Sequence, residues 1–218
     1  MPDPGFVLED RAEAGRLLAS RLVETELERP VVLAIPRGGV VLGCEIAGAL
    51  GVELDIVTPR KLKDEHDPEL ALGAVMHDGS VFLNEQVIAA RAVDDAYIRT
   101  EKKSEIRESL RRFNAYRGGR MYPSLEGRDI IIVDDGIATG ATMFVAAGWV
   151  RKQEPKRVTI AVPVIPAEML DSVRDQADEV VYLEAPALFF GIGQFYRNFP
   201  QVDDEEVMRM LSNFWHRG

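Results

Sequence analysis

The stretch Asp129-Ile130-Ile131-Ile132-Val133-Asp134-Asp135-Gly136-Ile137-Ala138-Thr139-Gly140-Ala141-Thr142-Met143 decides how the chain is read. Four consecutive branched apolar residues, Ile130 to Val133, suit a strand buried on both faces, as in the middle of a parallel sheet. Two carboxylates end the run, which puts Asp134 and Asp135 at the carboxyl edge of that sheet, where open α/β folds hold ligands. Gly136, Thr139, Gly140 and Thr142 follow, small residues that leave backbone N–H groups open to close approach. From Met143 to Lys152 the composition is helical, so those N–H groups gather at a helix N-terminus, an anion site suited to phosphate.

Acids beside an anion cradle repel the anion unless they serve another part of the same ligand, such as a diol or a divalent cation. A sugar phosphate meets both demands. The ordered pattern of apolar strand, Asp-Asp and a loop ending Ala-Thr-Gly-x-Thr resembles the phosphoribosyl pyrophosphate (PRPP) motif of type I phosphoribosyltransferases. The resemblance implies that Asp134 and Asp135 hold the ribose hydroxyls. It gives the 5′-phosphate to the loop of Ile137, Ala138, Thr139, Gly140, Ala141 and Thr142, with Gly136 also among the substrate-binding residues. The plain alternative, a strand-to-helix joint capped by an acid, needs one acid and no second glycine.

The same outline recurs upstream. Val31 to Ile35 reads as a buried strand, Pro36-Arg37-Gly38-Gly39 as a loop, and Val40 to Leu50 as a helix. A cation and two glycines suit a second phosphate group on the same sheet edge, though an ordinary turn with an exposed arginine would read alike. By resemblance Arg37, Gly38 and Gly39 hold pyrophosphate, in a loop that often has a strained non-proline peptide. A third strand, Asp55 to Thr58, leads into Pro59-Arg60-Lys61-Leu62-Lys63. These cations are either a solvated cluster or, as the resemblance implies, the pyrophosphate contact, Lys61 first and Arg60 and Lys63 after it. Asp64 to Glu69 is polar and aperiodic and reads as a mobile loop of the kind the family closes over the reacting centre.

Elsewhere the spacing predicts a helix over 8–27 with no chemistry of its own, and a strand pair over 70–76 and 80–83 around a turn at His77. A long helix over 94–116 carries Ile98, Ile106, Leu110 and Phe113 on one face and solvated charges on the others. Val158 to Val162 is a strand ending at Pro163, and Val180 to Leu183 follows a short helix over 167–175. Strand alternating with helix argues for parallel pairing with right-handed crossovers. The expected fold is α/β, a doubly wound and mainly parallel sheet with helices on both faces and a small irregular hood subdomain. Residues 31–184 would form the PRPP-binding core, with 1–30 and 185–218 as accessory hood elements packed on it. Phe189, Phe190, Phe195, Tyr196 and Phe199 crowd a segment rich in Gly and Pro that either covers the core or lines a pocket for a flat ligand. The resemblance gives the hood the nucleobase pocket, so Phe189 and Phe190 are candidates for it.

Composition narrows the classes. An apolar fraction of 46 % is ordinary for a globular protein. No run approaches the roughly 20 apolar residues of a membrane span. Met-Pro-Asp-Pro-Gly lacks the regions of a signal peptide, so a cytoplasmic location is expected. Cys44 is the only cysteine, and His66, His77 and His216 are scattered. A metal cage built from protein ligands is therefore not expected; Mg²⁺ would arrive with PRPP and sit near Asp134 and Asp135. A net charge of −10 argues against a nucleic-acid partner. The chain has no Gly-Lys-Ser or Gly-Lys-Thr, and Gly38, Gly39 and Gly43 do not form G-x-G-x-x-G.

The resemblance implies Mg²⁺-dependent transfer of a phosphoribosyl group from PRPP to a nitrogen nucleophile, a nucleobase-like acceptor, with release of pyrophosphate. Lys61, Arg37, Asp134 and Asp135 would carry catalysis, and a homodimer is compatible with the family. The acceptor is not readable. Ala138 stands where 6-oxopurine enzymes carry an acid, and Ala-Thr-Gly-x-Thr looks more like adenine-type enzymes, whose base-binding pattern is missing from the chain ends. Arg60-Lys61-Leu62-Lys63 is similar to orotate enzymes without their His-Gly pair. The Phe-Gly-Ile-Gly-Gln-Phe-Tyr tail looks like predicted phosphoribosyltransferases with no assigned substrate. The alternative function is a PRPP-sensing regulator of the same fold, which would keep the two acids and lose closing-loop chemistry.

Overall fold

The computed structural model describes residues 5–68 and 70–216. Five parallel strands form its main sheet: β1 (Val31–Ala34), β2 (Glu53–Ile56), β6 (Asp129–Val133), β7 (Arg157–Val164) and β8 (Glu179–Glu184). Their order is β2-β1-β6-β7-β8, with β6 in the centre, opposite Val31 on one side and Arg157 and Val158 on the other. Alternation divides the Ile-Val run between the faces. Ile130 and Ile132 enter one core with the helix α5 (Ala141–Arg151), and Ile131 and Val133 enter another with α1 (Arg11–Leu22) and α2 (Gly39–Leu50). All four are fully buried, each contributing about 1.5–3 kcal/mol of apolar burial. The doubly wound sheet with helices on both faces is therefore as the sequence predicts.

A second sheet is antiparallel, β3 (Arg60–Lys63), β4 (Ala71–Val75) and β5 (Val81–Leu83), in that order. One of its faces packs Leu62, Leu72 and Val75 against α3 (Glu85–Arg91) and α4 (Asp95–Arg117), while Ala71, Ala74 and Met76 join the α5 core. The basic cluster, which the sequence places after a strand end, forms an edge strand of its own, with only Leu62 turned to the core. Asp64 shapes the segment after it into a turn: its carboxylate accepts from the amides of His66 (2.8 Å) and Asp67 (2.9 Å), and its own amide donates to Leu70. Glu69 lies outside the described residues. On α4 it is Ser109 that is buried and Leu110 that is exposed, because Ser109 Oγ finds the Thr58 carbonyl.

The first helix is shorter than the predicted 8–27; Asp10 caps it by accepting from the Glu13 amide at 2.8 Å. β7 runs through Pro163 to Val164 instead of stopping before it: it stays paired with β8 at Val162 and Val164, on either side of the proline, and the Tyr182 carbonyl accepts from Arg21 Nη1. The 3-10 turn Ala167–Met169 leads into α6 (Leu170–Arg174). The two chain ends pack together on the α1 face. Leu8 pairs with Tyr196, and α7 (Asp204–Trp215) begins with a capping box of Asp203 and Glu206 and buries Val207 and Leu211. No helix among the described residues is long and apolar enough to cross a membrane.

Candidate active site

β6 ends at the sheet's carboxyl edge and delivers Asp134 and Asp135 side by side. Asp134 Oδ1 accepts from the Asp135 amide at 2.8 Å. Burial, and then the neighbouring Asp135 charge, push the Asp134 carboxyl well above the usual carboxylate range; Lys61 and Arg11 pull the other way. Asp135 is held from two sides: Arg11 Nε donates to Oδ2 at 2.8 Å, and the Tyr196 hydroxyl donates to its backbone carbonyl at 2.8 Å.

The first loop comes up against this pair from β1. Its Pro36–Arg37 peptide bond is cis. A Cβ on Gly38 would lie 1.9 Å from Asp135 Oδ2, and one on Gly39 would lie 2.8 Å from the Val133 carbonyl. Only glycines let the two loops touch.

Beyond the acids, the Ile137 amide is taken by the Val164 carbonyl at 2.9 Å, which removes it from the cradle the sequence assigned to it. The amides of Ala138 to Thr142 make no hydrogen bond among the described residues. Gly140 caps α5 with a φ of 76°, and a Cβ there would meet Phe144 Cζ at 2.6 Å. Free amides and the positive end of α5 thus point into one space.

That space is a cavity of about 390 Å³, lined by Arg11, Arg37, Arg60, Lys61 and Lys63 against Asp134 and Asp135. Such a size fits one small ligand. The local balance is basic although the chain is acidic, as a polyanionic ligand requires. Several of these cations already have partners: Arg60 pairs with Glu105 at 2.7 Å, and Arg37 lies 3.6 Å from Asp204. Lys61 and Lys63 carry no side-chain ion pair among the described residues.

Of the residues singled out from sequence, Arg37, Gly38, Arg60, Lys61, Lys63, Asp134 to Gly140 and Thr142 line the cavity, and Gly39 and Ala141 do not. Phe189 and Phe190 do not line it. Phe189 stacks on Phe195 at 5.6 Å between centroids, and Phe190 is 90 % exposed. Ile192, Gln201 and Val202 take that side of the cavity. Arg11 is the residue the sequence reading missed. The available signal was a cation at a helix start, where it opposes the dipole. A wider groove of about 1460 Å³ lies beside β2, lined by Cys44, Val52, Tyr122 and Trp215 among others. Its buried acid, Asp55, is already bound through both oxygens by Arg117, so we place the chemistry at the smaller cavity.

The chain is similar to known proteins over most of its length. A family model for the phosphoribosyl transferase domain matches residues 8–197. The "Putative phosphoribosyl transferase Rv0571c" of Mycobacterium tuberculosis strain H37Rv is 42 % identical over 205 residues, and its counterpart in strain CDC 1551 is equally similar. The match takes in 94 % of this chain and 46 % of each relative, so the chain spans about half the length of those curated relatives. The crystal structure of TT1426 from Thermus thermophilus is 41 % identical with a TM-score of 0.79, covering 95 % of this chain and 99 % of that one. The AQ2163 protein of Aquifex aeolicus shares the fold alone, at 14 % identity and a TM-score of 0.50 over 79 % of this chain and 73 % of that one.

Proposed function

The chain belongs to the phosphoribosyl transferase family, and we propose that its site moves the 5-phosphoribosyl group of PRPP to a nitrogen nucleophile, releasing pyrophosphate. One observation carries the reading: paired carboxylates, unengaged amides at a helix N-terminus and a basic wall share a single cavity. The amides of Ala138 to Thr142 take the 5′-phosphate, Asp134 and Asp135 take the ribose hydroxyls, and Arg37 with Gly38 and Gly39 takes the pyrophosphate.

In the reaction the bond from ribose C1 to the pyrophosphate oxygen breaks, its electron pair leaving with pyrophosphate, and the acceptor nitrogen supplies the pair for the new bond, the proton it carried passing to water. C1 becomes cationic on the way. Lys61, which carries no ion pair among the described residues, meets the growing negative charge on the leaving group, and Arg37 does so on releasing Asp204. The phosphate loop fixes the ribose so that C1 faces the acceptor. Asp134 and Asp135 suit Mg²⁺ carried by the ligand. No group of three or more His, Cys, Asp or Glu among the described residues is arranged to hold a metal ion, and an ion shared between one or two carboxylates, phosphate oxygens and water needs none. When bound, Mg²⁺ neutralises pyrophosphate charge.

The acceptor enters on the side of Ile192, Gln201 and Val202, with Phe189 and Phe195 packed behind it. Phe190 reaches that side only if 188–190 turns inward. The proposal retains a cytoplasmic location and allows a homodimer, and the −10 charge keeps nucleic acid out of the partner set.

The test has two arms. PRPP with Mg²⁺ should raise the melting temperature of the native chain. Pyrophosphate should then appear only when a nucleobase or small amine is added. Binding without release under any acceptor would favour a PRPP sensor, and no binding at all would refute the assignment.

A further inference from the structure

Arg11 belongs to a helix in which the sequence shows no chemistry, yet its side chain is only 10 % exposed. It stands at the first position of α1, where a cation is disfavoured by the helix dipole. Something must hold it there. Its Nε donates to Asp135 Oδ2 at 2.8 Å, its Nη1 donates to the Pro200 carbonyl at 2.6 Å, and the guanidinium lies 3.7 Å from the centroid of the Phe199 ring. The loop of Gly38 closes the last side; a Cβ there would come within 2.8 Å of Nε. Parts of the chain distant in sequence thus meet on one guanidinium: the start of α1, the first loop, the ribose-side acid and the 199–200 segment. The next residues, Gln201 and Val202, line the cavity where the acceptor is placed.

We propose that Arg11 is a positioning residue for this site, fixing the Asp135 carboxylate towards the cavity and tying it to the 199–202 segment that forms the acceptor side. The inference rests on the PRPP reading above. Geometry supports it over a merely structural role. A rigid guanidinium fork can serve an acid and a carbonyl at once, which an ammonium does not do equally well. Its acid partner, moreover, is one of the pair assigned to ribose. Arg11 takes no proton and forms no bond; its effect passes through Asp135.

The test is a double-mutant cycle on the full chain, with Kd for PRPP·Mg²⁺ measured by calorimetry after each variant's melting curve shows that it is folded. R11M should weaken PRPP binding roughly ten-fold, within the range for neighbours in one network, and R11K should restore part of the loss. In a D135N background, R11M should cause no further loss. If R11M fails to fold, R11K carries the cycle, with a smaller loss that also vanishes with D135N. Unchanged affinity in R11M overturns the proposal. The same loss with and without D135N overturns it too, since Arg11 would then touch the ligand itself. If the native chain does not bind PRPP, the underlying reading fails first and this one with it; native binding with an indifferent Arg11 sinks this one alone.

Discussion

Replacing Gly38 by alanine tests the contact between the two loops. The added carbon would lie 1.9 Å from Asp135 Oδ2, 2.7 Å from its Cγ and 2.8 Å from Arg11 Nε. Gly38 caps α2 and cannot retreat without shifting that helix, so the Asp135 side chain has to turn away. Turning it breaks a hydrogen bond between charged groups, which costs about 1.5–3 kcal/mol, and forces a poor rotamer at about 0.5–1.5 kcal/mol. Alanine stiffens the unfolded chain and returns about 0.4–1 kcal/mol. The net loss is about 1–4 kcal/mol, or roughly 2–16 °C in melting temperature for a chain of this size. The displaced carboxylate also leaves the ribose, so the shift produced by PRPP·Mg²⁺ should shrink. Thermal unfolding with and without the ligand reads both effects. A G38A protein that melts with the native one and responds equally to PRPP would refute the packing argument.

Other substitutions have opposite or independent signs. Gly148 lies inside α5 with nothing within 4 Å of an added Cβ, so G148A should raise the melting temperature by roughly 2–4 °C, the helix preference for alanine being about 1 kcal/mol. Asp134 has a folded-state pKa well above its ordinary 3.8, so the folded form holds its proton more tightly and stability falls as pH rises above 3.8. D134N should therefore stabilise the chain at neutral pH and lose that advantage below 3.8, while weakening PRPP binding; melting curves across pH and a titration with PRPP check both. K61A should lower kcat/KM by about a hundred- to a thousand-fold, as for loss of a donor to developing charge, with little change in melting temperature because Lys61 is exposed.

The sheet and both loops were legible because their signals are local: a run of Ile and Val, then acids or glycines. β3 was not, since Arg-Lys-Leu-Lys offers one apolar side chain and draws its pairing from β4. α3 escaped because it is short and buries no residue fully. In the aromatic tail, composition announced packing without saying which rings turn inward. Phe195 and Tyr196 are buried, whereas Phe190 is in solvent. Arg11 was hidden for a different reason: its partner Asp135 is 124 residues away, and only the fold brings them together.

A crystal structure with PRPP and Mg²⁺ tests the central assignment most directly. The account predicts 5′-phosphate oxygens accepting from the amides between Ala138 and Thr142, with the ribose hydroxyls on Asp134 and Asp135. A ligand seated instead in the groove beside Cys44 and Trp215, or bound with its phosphate away from α5, would contradict it.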